Sequence, residues 1–420
     1  PESSLFVWLP DGSSPARHRV EASVRPELMK ITGNHIIIRN IIFRYASNVA
    51  QHAAVDLLGE HNLIENCVVE YTAGVGVHLG GRNNLARGLV SEFNGQMGMG
   101  VNGDDNQLQD CVLLHNNTLS YPRRWEAGGL KAVGTRNLRI SRCAAIENNG
   151  YGLWFDIDNR NGVIENSYAE GNAESGIMVE ISQGTMVREN IAVRNGFRAK
   201  KGWDNAGILI AESMNTIVED NICTDNRSGI AVRQQRVRTL PANPELGIDK
   251  PISFYSYGLV LRDNIAAFNR KWQFALFADN AFFAGRYYWL VHRLLGKDGH
   301  STSAGDMKLL DPSHWHWRLG HNVYYASSGS GLILWGAPWL PGHKTYSSLA
   351  TFQRDQRLDE HSIVADPQFI DREHGNFSLS DTSPVLAVIG FEKAGQNRLP
   401  TTVEAFGRRS AVCEGVMGGC

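Results

Sequence analysis

The sequence has 420 residues and a formal net charge of −2, with 41 Lys and Arg against 43 Asp and Glu, which excludes the broad basic footprint of a nucleic-acid binder and suits a neutral partner such as a sugar. Length alone suggests two or three domains, but a solenoid grows along one axis and escapes that rule. The 43 glycines point to many tight turns rather than long helices, and no run is apolar enough to span a bilayer.

In chain order, residues 1–30 read as an irregular segment without a recognisable cap. Residues 31–390 read as a right-handed parallel β-helix, an all-β fold with loop insertions and a small helical insert. An early coil runs from Ile31 to Val55, with strands at Ile36-Ile37-Ile38 and Ile41-Ile42-Phe43. From Asn62 to Asn269 one phrase returns: a turn, a short apolar strand, a turn with Asn, then Gly followed by alternating apolar residues. Its last part stands at Gly76, Gly98, Gly129, Gly152, Gly176, Gly207 and Gly229, at intervals of 22, 31, 23, 24, 31 and 22 residues. Such self-similarity marks one three-strand coil per repeat, the two long intervals carrying inserted loops. Alternation directs Val77, Val101, Leu130, Phe155, Val179, Ile210 and Val232 inward, and Trp154 and Asp156 outward.

The preceding strand repeats as Glu65-Asn66-Cys67, Glu165-Asn166-Ser167, Glu189-Asn190-Ile191, Asp220-Asn221-Ile222 and Asp263-Asn264-Ile265. Asn172, Asn195, Asn226 and Asn269 follow one strand later and are expected to stack at a turn. Insertions are expected near 117–128, 196–206, 234–256 and 279–320. After Asn269 the rhythm loosens, with strands at Phe274 to Phe277, Asn322 to Tyr325 and Gly331 to Trp335. Residues 279–295 carry an aromatic, helix-compatible pattern with Arg286 and Arg293, suited to a lid or end cap, and 391–420 read as a tail.

The six cysteines show no zinc spacing. Cys67, Cys111 and Cys143 fall at similar coil positions and read as buried apolar residues. A disulfide between Cys413 and Cys420 would imply an oxidising compartment, and a secreted or periplasmic location is expected. Homo-oligomer formation is left open by the sequence.

Equivalent residues of neighbouring coils stack about 4.8 Å apart. The fourth position after each glycine reads Gly80, Asn102, Val133, Asp156, Glu180, Ala211 and Arg233, so Asp156 and Glu180 are neighbours. Two carboxylates about 5 Å apart are what retaining glycosidases use, one as nucleophile and one as acid/base. The plainer alternative is a pair of surface acids matched with nearby bases. Both long coils place their loops beside this pair. One brings Arg123, Arg124, Trp125 and Glu126, the other Lys200, Lys201, Trp203 and Asp204. Trp154 is expected to be an exposed platform for a sugar ring, with Trp125 and Trp203 lining the same cleft. Lys131, one rung before Trp154, could hold the nucleophile ionised. His78 and Asn102, on earlier rungs, complete the candidate substrate-binding set.

The phrases Trp125-Glu126-Ala127-Gly128-Gly129-Leu130-Lys131, Trp154-Phe155-Asp156 and Glu180 together resemble the active-site pattern of bacterial β-helix glycoside hydrolases, especially the β-xylosidases of glycoside hydrolase family 120. The resemblance implies Asp156 as nucleophile, Glu180 as acid/base and Glu126 as a ligand for substrate hydroxyls. Ala365-Asp366-Pro367-Gln368-Phe369 with Ser383-Pro384 resembles the end of many such proteins. The additional β-sandwich region of those xylosidases has no counterpart in this sequence. Two other readings remain. A polysaccharide lyase would use Lys131 or an arginine as base, with calcium on Asn102, Asp104 and Asp105. A non-catalytic solenoid would only grip glycans. On the hydrolase reading no metal or cofactor is expected.

Overall fold

The computed structural model describes residues 6–9, 11–198, 203–284 and 308–387. Three sheets run along one axis, with 12, 10 and 11 strands, and each strand pairs with its counterpart one coil away. All pairings within these sheets are parallel except the last of the first sheet, where Gly331–Trp335 meets Lys344–Tyr346 antiparallel. This is the expected parallel β-helix. It starts slightly earlier than the repeat suggests, because Met29–Ile31 already pairs with Ala53–Leu57.

The seven glycine-led strands are consecutive members of the first sheet, with Val77, Met99, Leu130, Leu153, Ile177, Ile208 and Ile230 in register. Val77, Val101, Leu130, Phe155, Val179, Ile210 and Val232 are all buried in the main core. The glycines are required by what stands beside them. A Cβ on Gly152 would lie 2.4 Å from the Gly176 carbonyl oxygen and 2.8 Å from Asn172 Nδ2. That Asn belongs to a buried ladder of Asn94, Asn116, Asn148, Asn172, Asn195, Asn226 and Asn269. Each Nδ2 donates to the next Oδ1 along the axis, at 2.9 to 3.2 Å. The ladder thus satisfies polar groups that burial would otherwise leave unpaired.

A second ladder corrects the sequence alignment by one residue. Glu165 stands opposite Arg188, so Asn166 is level with Glu189, and Ser167 with Asn190, whose Oδ1 accepts the Ser167 N–H at 2.9 Å. Asn166 and Glu189 occupy the left-handed turn position, with φ of 48° and 54°. The two Glu-Asn phrases look alike but are offset, because Asn serves both a left-handed turn and a side-chain ladder. Asn190, Asn221, Asn264 and Asn322 continue the inner slot. In earlier coils Cys67, Cys111 and Cys143 fill it, buried and unpaired as thiols.

Two of the insertions carry secondary structure of their own. Residues 117–128 include a short helix, Arg123–Glu126, and 234–256 include an antiparallel pair, Arg238–Leu240 with Ile252–Phe254. Ala281–Ala284 is helical. Arg286, Arg293, Lys200, Lys201, Cys413, Cys420 and the 391–420 tail lie outside the described residues. Among the described residues, no helix is long and apolar enough to cross a membrane.

Candidate active site

The outward face of the first sheet carries two rows of side chains. One row runs Lys30, Asp56, His78, Gly100, Lys131, Trp154 and Met178 on successive rungs. In the other, Val133 stands opposite Asp156, and Glu180 opposite Ala211, which precedes Arg233. Since Phe155 pairs with Val179, Asp156 and Glu180 occupy the same position on consecutive rungs, as the repeat requires. Over the earlier rungs lies a groove of 480 Å³, with Asp56, His78, Asn102, Glu126 and Lys131 in its lining. It ends at the Lys131 and Val133 rung, one step before Trp154 and Asp156.

Lys131 joins the groove to the carboxylate pair. Its Nζ lies 3.0 Å from Asp156 Oδ2, donates to the Trp125 carbonyl at 2.9 Å, and sits 4.3 Å from the Trp154 ring centroid. Asp156 is only 6% exposed. Burial, and then the Glu180 charge, push its pKa up to about 6 against the pull of Lys131. Among the described residues neither its buried Oδ1 nor Trp154 Nε1 has a hydrogen-bond partner. An unmade bond of this kind costs about 1–3 kcal/mol per group.

Glu180 is anchored through Oε1, which accepts from Arg233 Nη2 at 2.6 Å and Arg238 Nη1 at 3.4 Å. Arg233 is buried and also meets Asp204 at 3.0 Å and Glu212 at 3.4 Å. Burial pushes the Asp204 carboxyl up, but the Arg233 and Arg124 guanidinium groups overrule it and hold it below the usual carboxylate range. Glu212 is raised, because burial outweighs Arg233. Arg124 Nη2 binds Asp204 Oδ1 at 2.6 Å, and Arg123 Nη1 donates to the Arg198 carbonyl at 2.8 Å. The two inserted loops therefore clasp each other beside Glu180, on the face where the repeat places them.

The sequence-predicted residues divide into two groups. Glu126, Lys131, His78 and Asn102 line the groove, the Glu126 carboxylate accepting a hydrogen bond from Gln51 Nε2. Glu180, Asp204 and Arg124 form an ion-paired network with Arg233 behind it, and Asp156 pairs with Lys131. The tryptophans differ from expectation. Trp154 is 2% exposed, packed against Tyr151 at 4.7 Å and Lys131, so it is no open platform. The sequence marks it as outward-facing but cannot show that the clasped loops cover that wall. Trp203 packs edge-on against Phe277 at 5.0 Å and Trp339 at 4.7 Å, while Trp125 is 46% exposed. None of the three lines the groove.

The three residues offered for calcium have partners within the protein. Asp104 pairs with Arg82 at 3.2 Å, the Asp105 carboxylate accepts from Asn137 Nδ2 at 2.9 Å, and Asn102 faces His78 at 3.1 Å. Among the described residues no group of three His, Cys, Asp or Glu is arranged to hold a metal ion. Sequence reasoning missed Asp56, Gln51, Arg238 and Glu212. Asp56 was within reach, since it stands 22 residues before His78, one short coil back at the same outward position.

Comparison with known proteins supports the fold. A family model described as right handed beta helix region matches residues 30–204, and the chain is a right-handed parallel β-helix. The uncharacterized protein YwoF of Bacillus subtilis (strain 168) is 34% identical over 71 residues, 17% of this chain and 14% of that protein, so the match spans about a seventh of the relative. Among solved structures, XylC in complex with xylose aligns at a TM-score of 0.45 with 12% identity, over 76% of this chain and 55% of that one. The PL6 family polysaccharide lyase Pedsa3628 from Pseudopedobacter saltans aligns at 0.43 with 13% identity, over 81% and 79%. A mannuronic acid specific family 6 lyase from human gut microbiota aligns at 0.43 with 12% identity, over 92% and 83%.

Proposed function

We propose that this chain is a carbohydrate-active enzyme that hydrolyses glycosidic bonds with retention of configuration, Asp156 serving as nucleophile and Glu180 as acid/base. The observation that carries the reading is the pair itself: two carboxylates on consecutive rungs just beyond the end of a polar groove, one with a buried oxygen that has no hydrogen-bond partner among the described residues. Lys131 anchors Asp156 through Oδ2, which assigns attack on an anomeric carbon to Oδ1, a buried oxygen that substrate entry has to uncover. Both arginine bonds to Glu180 go to Oε1, leaving Oε2 for the proton that the leaving oxygen takes. Rung spacing suits the short carboxylate separation of the retaining mechanism.

The lyase reading draws less support. Its base would be Lys131, whose ammonium is already engaged by the Asp156 carboxylate and the Trp125 carbonyl, or an arginine such as Arg233, which is already paired with Glu180, Asp204 and Glu212. The deciding experiment is a panel of aryl glycosides and polysaccharides assayed with the native protein and Asp156→Asn. Sugar release that vanishes in the variant supports the proposal. Unsaturated products absorbing near the ultraviolet edge would transfer the protein to the lyases, and no release from any substrate would leave a glycan-binding solenoid.

A further inference from the structure

The groove before Lys131 is longer than a single sugar needs. Its floor follows Lys30, Asp56, His78, Gly100 and Lys131, five successive rungs of one sheet. Four rung intervals make about 19 Å, the length of several pyranose rings. The row is polar and preorganised. His78 Nδ1 lies 2.6 Å from Asp56 Oδ1, and its Nε2 lies 3.1 Å from Asn102 Oδ1, which fixes the ring across the floor. Gly100 leaves a gap in the row where every neighbouring rung has a large side chain.

Both lysines lining the groove have acidic partners, and the Glu126 carboxylate, hydrogen-bonded only to Gln51 among the described residues, adds a negative charge. Lys131 faces Asp156, Asp56 faces His78, and Lys30 lies 3.9 Å from Glu27. Among the described residues no arginine lines the groove. An acidic sugar would find no uncompensated cation to receive its carboxylate, whereas hydroxyl groups would find paired donors and acceptors. On the other side of Asp156 the same face is closed. Tyr151, Trp154, Met178, Leu209 and Ala231 form an apolar cluster with Trp203 packed on it.

We infer that the rungs from Lys30 to Lys131 form an extended binding cleft for a neutral oligosaccharide, which enters from the N-terminal side and ends against the closed wall beside Asp156. The inference rests on the hydrolase reading for what happens at that end and deepens it by naming the substrate class. Such an enzyme acts at a chain end and draws affinity from several units.

Gly100 supplies the test. A Cβ there meets only His78 Cδ2 and Met97 Cε, both at 3.6 Å, so a larger side chain fills the groove without straining the backbone. Titration calorimetry with xylo-, cello-, manno- and galactohexaose, their dimers, hexagalacturonate and hexamannuronate is run on Asp156→Asn, and on the same protein with Gly100→Leu. One neutral hexaose is expected to bind at least tenfold more tightly than its dimer and than either hexauronate. Gly100→Leu should melt normally and weaken that binding tenfold or more. Equal affinity for dimer and hexaose, preference for a hexauronate, unchanged affinity in a folded Gly100→Leu protein, or no hexaose binding at all would each overturn the cleft. Turnover of aryl glycosides without hexaose binding defeats the cleft and keeps the hydrolase. Length-dependent binding without any turnover by the native protein keeps the cleft and defeats the hydrolase.

Discussion

Lys131 stands across one rung from Asp156, its Nζ 3.0 Å from Oδ2, and is the cation that partly offsets the burial of that carboxylate. The same ammonium is held by the Trp125 carbonyl from the inserted loop. One lysine thereby ties the first catalytic candidate to the loop that roofs it.

A pH dependence follows. With Asp156 raised to about 6, attack by its carboxylate requires pH above that value, so kcat/KM should fall as pH drops through about 6. Lys131→Met removes a lowering influence and should move the limb upward. A pH–rate profile that stays flat from 5 to 8 would separate catalysis from this carboxylate.

Stability carries the opposite sign from the usual salt-bridged acid. A carboxyl whose folded pKa lies above its ordinary value of 3.8 binds its proton more tightly when folded, so its contribution weakens as pH rises from about 4 to about 6. Asp156→Asn does not titrate. The melting temperature of the variant minus that of the native protein should therefore grow over that window, while turnover is abolished because an amide forms no glycosyl ester.

Glu180 is tested through the leaving group. Glu180→Gln should slow hydrolysis most for poor leaving groups, since a group that departs unaided needs less proton donation. Azide should partly restore Glu180→Ala, and proton NMR of the first product should show the retained anomer. An inverted product would move the enzyme to the inverting class and make Glu126 the acid to examine.

Arg233 holds Glu180, Asp204 and Glu212 at once. Arg233→Met leaves Asp204 to Arg124 and Glu180 to Arg238, with Glu212 the most exposed to the loss. Removing one side of a buried ion cluster costs about 3–5 kcal/mol, which denaturant unfolding should detect. A loss below about 1 kcal/mol would mean that the network is solvated.

The interior ladder predicts a similar sensitivity. Asn195 Nδ2 donates to the Ala169 carbonyl at 2.8 Å and to Asn226 Oδ1 at 3.0 Å, and its Oδ1 accepts the Asn172 N–H at 3.0 Å. Asn195→Ala strands several buried groups, each worth about 1–3 kcal/mol, and should unfold at much lower denaturant. Gly207→Ala should also destabilise, because its Cβ would stand 2.7 Å from Asn226 Nδ2.

The sequence by itself determined the coil, its period and its inward face. Gly-led alternation from Gly76 to Gly229 is a local pattern, and stacking identical coils admits one register for it. Asp156 and Glu180 could be placed on adjacent rungs for the same reason, by counting. The offset between Asn166 and Asn190 escaped that counting, because Asn suits two neighbouring slots and only strand pairing chooses between them. Whether an outward residue meets water was also beyond counting. Trp154 and Asp156 alternate as exposed positions should, yet the clasp of Arg124 on Asp204 belongs to loops 80 residues apart. Periodicity encodes which face a side chain takes, whereas burial on that face depends on long-range contacts that no repeat contains, and those contacts decide which carboxylate is raised and which is held by arginine.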